Sequence, residues 1–201
     1  MSPIPATPPQ STSYAQRLVA LEGKWWKRVL DVQAPFRLHL RMLQPGHVLD
    51  VGCGIGRNLT HLRGDGVGVD MDPEAVAIAR ARGLRAFSAD EFPGVPEAAL
   101  DHYDSLLVAH VLEHMSPDDA AALVRSYAAY VRPGGQVILI VPQQAGFRSD
   151  PTHVTFVDFG GLERIAEAAG LRVTRRYSFP FPAVTGRVFL YNESVLLARK
   201  P

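Results

Sequence analysis

The chain has 201 residues, 47% of them hydrophobic and 20% charged. That balance supports one cored domain with an added terminal segment and excludes disordered, collagen-like and low-complexity classes. Twenty-one Lys and Arg oppose twenty Asp and Glu, and the formal net charge of +1 gives no field for nucleic acid or an anionic membrane and favours a small or neutral partner.

Apolar runs such as Val137 to Val141 fall far short of the roughly 18 residues of a membrane-spanning helix, so no membrane insertion is expected. One cysteine makes no internal disulfide. The opening MSPIPATPPQST has neither a basic nor an apolar block, and a cytoplasmic location is the expectation.

Residues 1–13, rich in proline, read as a disordered tail. From Tyr14 to Leu43 the pattern gives two helical pieces, broken near Gly23 and at Pro35, with the aromatic and cationic cluster Lys24-Trp25-Trp26-Lys27-Arg28 between them. Residues 14–44 are therefore expected to form an N-terminal helical cap, and 45–201 the main domain. After the turn Gln44-Pro45-Gly46 come a strand over His47 to Val51, the loop Gly52-Cys53-Gly54-Ile55-Gly56, and a helix. The alternation continues with a strand at Val67 to Asp70, a helix over Pro73 to Arg82 and a strand at Leu84 to Ser88.

A strand follows at Ser105 to Ala109. Ser116-Pro117-Asp118-Asp119 opens a helix that runs to about Val131. Pro133-Gly134-Gly135 turns the chain into the β-branched strand Gln136 to Val141. A loop over Pro142 to Val157 leads to a helix from Asp158 to near Gly170. Leu171 to Tyr177 and Val188 to Leu197 read as closing strands. This is the pattern of an α/β domain, with a mostly parallel sheet, helices on both faces and ligands at the carboxyl ends of the strands.

The glycine loop lets backbone N–H groups approach a ligand that any Cβ would push away. A dinucleotide site needs G-x-G-x-x-G, and here Arg57 stands where the last glycine belongs. Asp50, inside the first strand, repels a pyrophosphate but accepts hydrogen bonds from an ammonium group. Asp70 lies 70 − 54 = 16 residues beyond the middle glycine, near the spacing at which such folds hold ribose hydroxyls; the plainer alternative is a turn or cap ahead of Asp72-Pro73.

With Val48-Leu49-Asp50-Val51-Gly52-Cys53-Gly54-Ile55-Gly56, Val67-Gly68-Val69-Asp70, Ser88-Ala89-Asp90, Tyr103-Asp104-Ser105 through His110-Val111-Leu112-Glu113-His114, and Arg132-Pro133-Gly134-Gly135 in order, the chain resembles the class I S-adenosylmethionine-dependent methyltransferases over roughly Pro35 to Arg199. The His-x-Leu-Glu-His segment is similar to that of the small-molecule enzymes of ubiquinone and menaquinone biosynthesis. The resemblance implies a Rossmann-like, seven-stranded, mostly parallel sheet with an antiparallel last strand. It also implies the cofactor S-adenosyl-L-methionine and a small-molecule methyl acceptor reacting at O, N or C.

By the same resemblance, the backbone at Gly52, Cys53 and Gly54 lies beside the methionine part of the cofactor and Asp50 holds its ammonium. Asp70 takes the ribose hydroxyls, Met71 packs on the adenine and Asp90 accepts from the adenine amino group. Glu91 and Phe92 line that pocket, and Ala109 and His110 close the other side.

Other residues admit two readings. Cys53 is more simply a space-filling thiol than a nucleophile, since no base adjoins it. His110, Glu113 and His114 resemble ligands, but H-x-L-E-H is not the H-E-x-x-H zinc pattern and no metal is expected; Glu113 and His114 are read as capping the next helix or facing solvent. His153 is either a base for a protonated acceptor or a loop anchor, and with His110 it forms the candidate catalytic set. Trp25 and Trp26 are a lid or a helix face, and that segment is also able to pack on a second subunit in a homodimer. Arg28 and Arg37 either meet the cofactor carboxylate or lie on the surface. The competing functions are a catalytically silent cofactor-binding relative and an NAD(P)-dependent oxidoreductase.

Overall fold

The computed structural model describes residues 33–201; the expected tail, the break at Gly23, Trp25, Trp26 and Arg28 lie outside the described residues. Helix α1 (Ala34–Met42) carries Pro35 in its first turn, where a missing N–H has no partner to lose, so Pro35 opens a helix instead of breaking one. The imidazole of His39 stacks on Phe179 with ring centroids 4.0 Å apart and bonds the Tyr177 hydroxyl at 2.6 Å. Phe36 meets Phe179 edge-on. These contacts fix α1 against the outer strand of the sheet.

The remaining elements are β1 (Val48–Val51), α2 (Arg57–His61), β2 (Gly66–Asp70), α3 (Pro73–Ala81), β3 (Ala86–Ser88), β4 (Tyr103–Ala109), α4 (Pro117–Ala128), β5 (Val131–Pro142), α5 (Gln144–Arg148), α6 (Phe159–Ala168), β6 (Arg172–Phe179) and β7 (Glu193–Arg199). They build one seven-stranded sheet in the order β3-β2-β1-β4-β5-β7-β6. β1 pairs in parallel with β2 and β4, while β7 runs antiparallel between β5 and β6. The chain moves outward from β1 to β3 and then returns to the other side of β1 as β4. The crevice at the carboxyl ends of β1 and β4 is thus the switch point at which open α/β sheets bind ligands.

Both faces of the sheet are covered. Leu49, Val51, Leu106, Val108 and Leu139 join Leu162 of α6 in one core, while Val48, Leu107, Ile138 and Ile140 join Leu40 of α1 and Leu59 of α2 in the other. Alternate strand residues enter alternate cores, which is why the strands read as unbroken apolar runs. Helix starts follow their capping residues: Asp72 accepts from the Glu74 N–H, Ser116 from Asp119 and Asp158 from Gly161. Each satisfies a donor that the helix leaves free.

Four further elements differ from their sequence-based expectations. β5 begins at Val131, where it pairs with Tyr103, and takes in the Pro133-Gly134-Gly135 stretch expected as a turn. The segment over 142–157 contains the short helix α5. β3 shrinks to Ala86–Ser88, because the Leu84 N–H closes α3 on the Ala79 carbonyl. The last strand starts at Glu193, not at Val188, whose side chain is exposed. Ahead of it, Asn192 is buried and tied by its amide to Gln143 and Ser178 and by its Oδ1 to the Phe181 N–H. This network folds the β6–β7 connection back on itself and prevents its apolar residues from extending the ladder. Among the described residues, no helix is long and apolar enough to cross a membrane.

Candidate active site

The loop after β1 turns on three glycines in the left-handed region, Gly52 at φ +74°, Gly54 at +53° and Gly56 at +82°. The Gly52 and Cys53 N–H groups both bond the Val69 carbonyl, which docks the loop on β2. A Cβ on Gly52 would stand 2.1 Å from Cγ2 of Val111, so the turn and the segment after β4 are packed against each other through the absent side chain. Gly68 on β2 leaves space that the Cys53 thiol fills: a Cβ there would lie 2.6 Å from the sulfur. Burial holds that thiol well above its ordinary pKa. Cys53 is thus a neutral packing group, and its contribution to a ligand would come from its backbone.

Asp50 is fully buried beneath this loop. Its Oδ1 accepts a long 3.4 Å bond from Asn58 Nδ2, and its Oδ2 has no hydrogen-bond partner. Burial, opposed in part by Asn58, raises its pKa to about 7. A buried acceptor left unmatched costs about 1–3 kcal/mol, so this carboxylate is built to meet a donor that the chain does not itself supply. A glycine-walled approach and an unsatisfied acid fit the ammonium end of S-adenosyl-L-methionine.

Asp70 at the end of β2 accepts from the Gly54 N–H through Oδ2 at 2.7 Å and from the Asp72 N–H through Oδ1 at 2.9 Å. It therefore ties the glycine loop to β2. Each carboxylate oxygen accepts more than one bond, so the ribose role and the turn role coexist. Met71 and Asp90 are exposed beside it. The Glu91 carboxylate turns back to accept from the Ser88 N–H and from Arg80, contacts that hold its pKa below the usual range. Phe92 is corrected: it is 1% exposed and packs on Phe87, Tyr127 and Tyr130 in the core, because the turn over Phe92–Gly94 directs its ring inward.

Across the crevice, β4 ends at the buried Ala109, and His110 follows with φ +60°. This strained backbone aims its ring between two acids, with Nε2 2.8 Å from Glu193 Oε1 and Nδ1 3.5 Å from Glu113 Oε1. Burial lowers its pKa, but the hydrogen bonds and charges of Glu113 and Glu193 outweigh this and raise it to about 9. With both nitrogens engaged, His110 has no free lone pair with which to take a proton.

Glu113 is 1% exposed, which corrects its reading as a cap or a solvent-facing residue; the cap of α4 is Ser116. His153 is carried back to it by the loop after α5, with its Nε2 3.9 Å from Glu113 Oε1 and its Nδ1–H donated to the Phe147 carbonyl. The two catalytic candidates thus meet through one buried carboxylate. Arg37 lies in α1.

Sequence reasoning missed Asn58, Val111 and Glu193. Asn58 follows the glycine loop by only a few residues, and its amide was a legible partner for Asp50. Glu193 carried no such signal, since its contact with His110 spans the sheet.

The seven-stranded sheet, with its switch-point crevice, its glycine turn after β1 and acids in β1 and β2, is the fold of the class I methyltransferases. Residues 28–176 match the family model described as a methyltransferase domain, and the chain belongs to that family. It is 33% identical over 136 residues to a ubiquinone biosynthesis O-methyltransferase of Bordetella avium, covering 59% of this chain and 56% of that protein. It is 30% identical over 154 residues to the protein of the same name from Xanthomonas campestris, covering 65% and 64%. The chain therefore spans less than two thirds of the length of these relatives.

Among solved structures, a SAM-dependent methyltransferase from Thermotoga maritima superposes with a TM-score of 0.68 at 18% identity, over 92% of this chain and 97% of that one. Another from Archaeoglobus fulgidus gives 0.65 at 19%, over 82% and 93%. These likenesses bear on the fold.

Proposed function

We propose that the chain transfers a methyl group from S-adenosyl-L-methionine to an oxygen atom of a small-molecule acceptor. The unpartnered Oδ2 of the buried Asp50 carries the cofactor half of this reading. The relatives named as O-methyltransferases support oxygen as the acceptor atom. When bound, S-adenosylmethionine supplies an electrophilic methyl group on a sulfonium.

In this reading Asp50 receives the ammonium, the backbone at Gly52, Cys53 and Gly54 admits the methionine chain, and Asp70 holds the ribose hydroxyls. Met71 and Asp90 serve the adenine, with Glu91 stiffening that edge through Ser88 and Arg80. Ala109 and His110 close the far side, and His110 acts as a positioning residue clamped by Glu193 and Glu113. Proximity and alignment then carry most of the rate, since a sulfonium needs little further activation. A proton leaving an acceptor hydroxyl goes toward the Glu113 and His153 side, where the chain gathers its remaining bases.

Phe147 stacks on His153 and meets Phe156, and Phe156 and Val154 are exposed beside it. This apolar rim supports an aromatic or otherwise apolar acceptor. A net charge of +1 supports a small acceptor over nucleic acid, and a cytoplasmic site and a homodimer are compatible with the same reading.

The test is to incubate the purified chain with S-adenosylmethionine and a panel of hydroxylated aromatic, aliphatic and amine compounds, measuring S-adenosylhomocysteine formed. Product is expected with hydroxylated aromatics above the acceptor-free rate. Turnover confined to amines contradicts the oxygen assignment, and no turnover with any acceptor favours the silent relative.

A further inference from the structure

We propose that Glu113, His110 and Glu193 form a buried anionic triad that makes the crevice hold a sulfonium in preference to the thioether left after methyl transfer. The inference rests on the methyl-transfer reading and concerns how that same crevice tells cofactor from product.

The charge follows from geometry. His110 Nε2 stands 2.8 Å from Glu193 Oε1, and its Nδ1 stands 3.5 Å from Glu113 Oε1. An ionised carboxylate only accepts, so a neutral ring would turn a lone pair on one of the two acids. The doubly protonated ring satisfies both. One positive charge then stands between two negative ones, and the triad carries one negative charge in excess. Burial keeps water from dispersing it: Glu113 is 1% exposed, and its Oε2 has no hydrogen-bond partner.

The groups around the triad do not cancel this excess. His153 faces Glu113 Oε1 at 3.9 Å, beyond hydrogen-bond reach, and its Nδ1–H goes to the Phe147 carbonyl. On the other side, Glu193 is within electrostatic reach of His39 on α1 and Tyr177 on β6. Burial lowers the pKa of His39, which keeps that ring neutral, and the Arg175 guanidinium lies over the Tyr177 ring. Among the described residues, no Lys or Arg forms an ion pair with either acid of the triad.

His110 directly follows β4 at the crevice, and the next residue, Val111, packs against Gly52 of the loop that would admit the methionine chain. Asp50 is suited to the ammonium, which cofactor and product share. The sulfonium is the one charge that methyl transfer removes. An anionic wall on this side therefore separates the two ligands where Asp50 does not, and its hold weakens once the methyl group has left.

The test measures the dissociation constants of S-adenosylmethionine and S-adenosylhomocysteine by calorimetry at pH 8, above the Asp50 pKa of about 7. It compares the full chain with Glu113→Gln/Glu193→Gln, which keeps the shape of both side chains, removes both negative charges and leaves His110 as a neutral imidazole. S-adenosylmethionine should weaken about three- to tenfold more than S-adenosylhomocysteine. Equal weakening of both reduces the triad to wall structure and overturns the proposal, as does an unchanged ratio. A second measurement needs no substitution. An analogue with a tertiary amine in place of the sulfonium should take up a proton on binding the unaltered chain, beyond any exchanged with S-adenosylhomocysteine, and show it as a buffer-dependent heat. Binding of the analogue without that uptake contradicts the anionic wall. A chain that binds cofactor and product with an unchanged ratio in the variant loses the triad and keeps the methyl-transfer reading, and one that binds neither loses both.

Discussion

Asp50→Asn is expected to weaken S-adenosylmethionine binding by about 10- to 150-fold, the equivalent of losing a charge-assisted hydrogen bond of about 1.5–3 kcal/mol. The same substitution should leave the fold intact, since it removes a buried charge whose Oδ2 no group of the chain satisfies. Function and stability therefore separate at this residue, which is unusual for a position with no exposed surface.

The pH dependence has a definite sign. Burial raises the Asp50 pKa from 3.8 to about 7, so the folded chain holds a proton that the unfolded chain has released between those values, and this group's contribution to stability is lost as pH rises through that window. Binding an ammonium requires the ionised form, so the proton must leave on binding. Affinity should be about tenfold lower at pH 6 than at pH 8, with proton release visible as a buffer-dependent heat. In Asp50→Asn this part of the dependence should vanish. A wild-type affinity flat across that range removes Asp50 from the ammonium site.

Gly52→Ala is expected to be the most damaging substitution in the loop. Its Cβ would stand 2.1 Å from Cγ2 of Val111 at φ +74°, so the new methyl meets both a steric and a backbone penalty. The backbone part alone costs about 1 kcal/mol, and overpacking adds about 1–3 kcal/mol. Gly170→Ala provides the contrast, because at φ +79° it has nothing within 4 Å of its Cβ and should show the backbone part only. Adding Val111→Ala to Gly52→Ala removes the colliding methyl and should recover part of the denaturation midpoint. A double variant no more stable than Gly52→Ala would show that the Val111 contact is not what excludes a side chain there.

Much of this was legible because the informative features are local. The glycine loop, the acids ending β1 and β2, and the caps Asp72, Ser116 and Asp158 are each set by neighbours a few residues away. The antiparallel placement of the last strand came from the family resemblance, and its start was misread: Val188 to Tyr191 looks like strand, while the Asn192, Gln143 and Ser178 network that keeps it out of the sheet joins three separate elements. The surroundings of Glu113 were hidden for the same reason. Its partners arrive from β4 and the loop after α5, and its own turn shows a charged residue that would ordinarily face solvent. Phe92 was drawn into the adenine pocket by proximity in sequence, whereas a turn of three residues was enough to point it into the core.

Calorimetric titration of the purified chain asks whether the crevice at β1 and β4 holds S-adenosylmethionine. Micromolar binding of S-adenosylmethionine and S-adenosylhomocysteine, about −8 kcal/mol, is the expected result, with no heat from NAD. Binding of the nicotinamide dinucleotide with silence toward both methionine compounds would contradict the account.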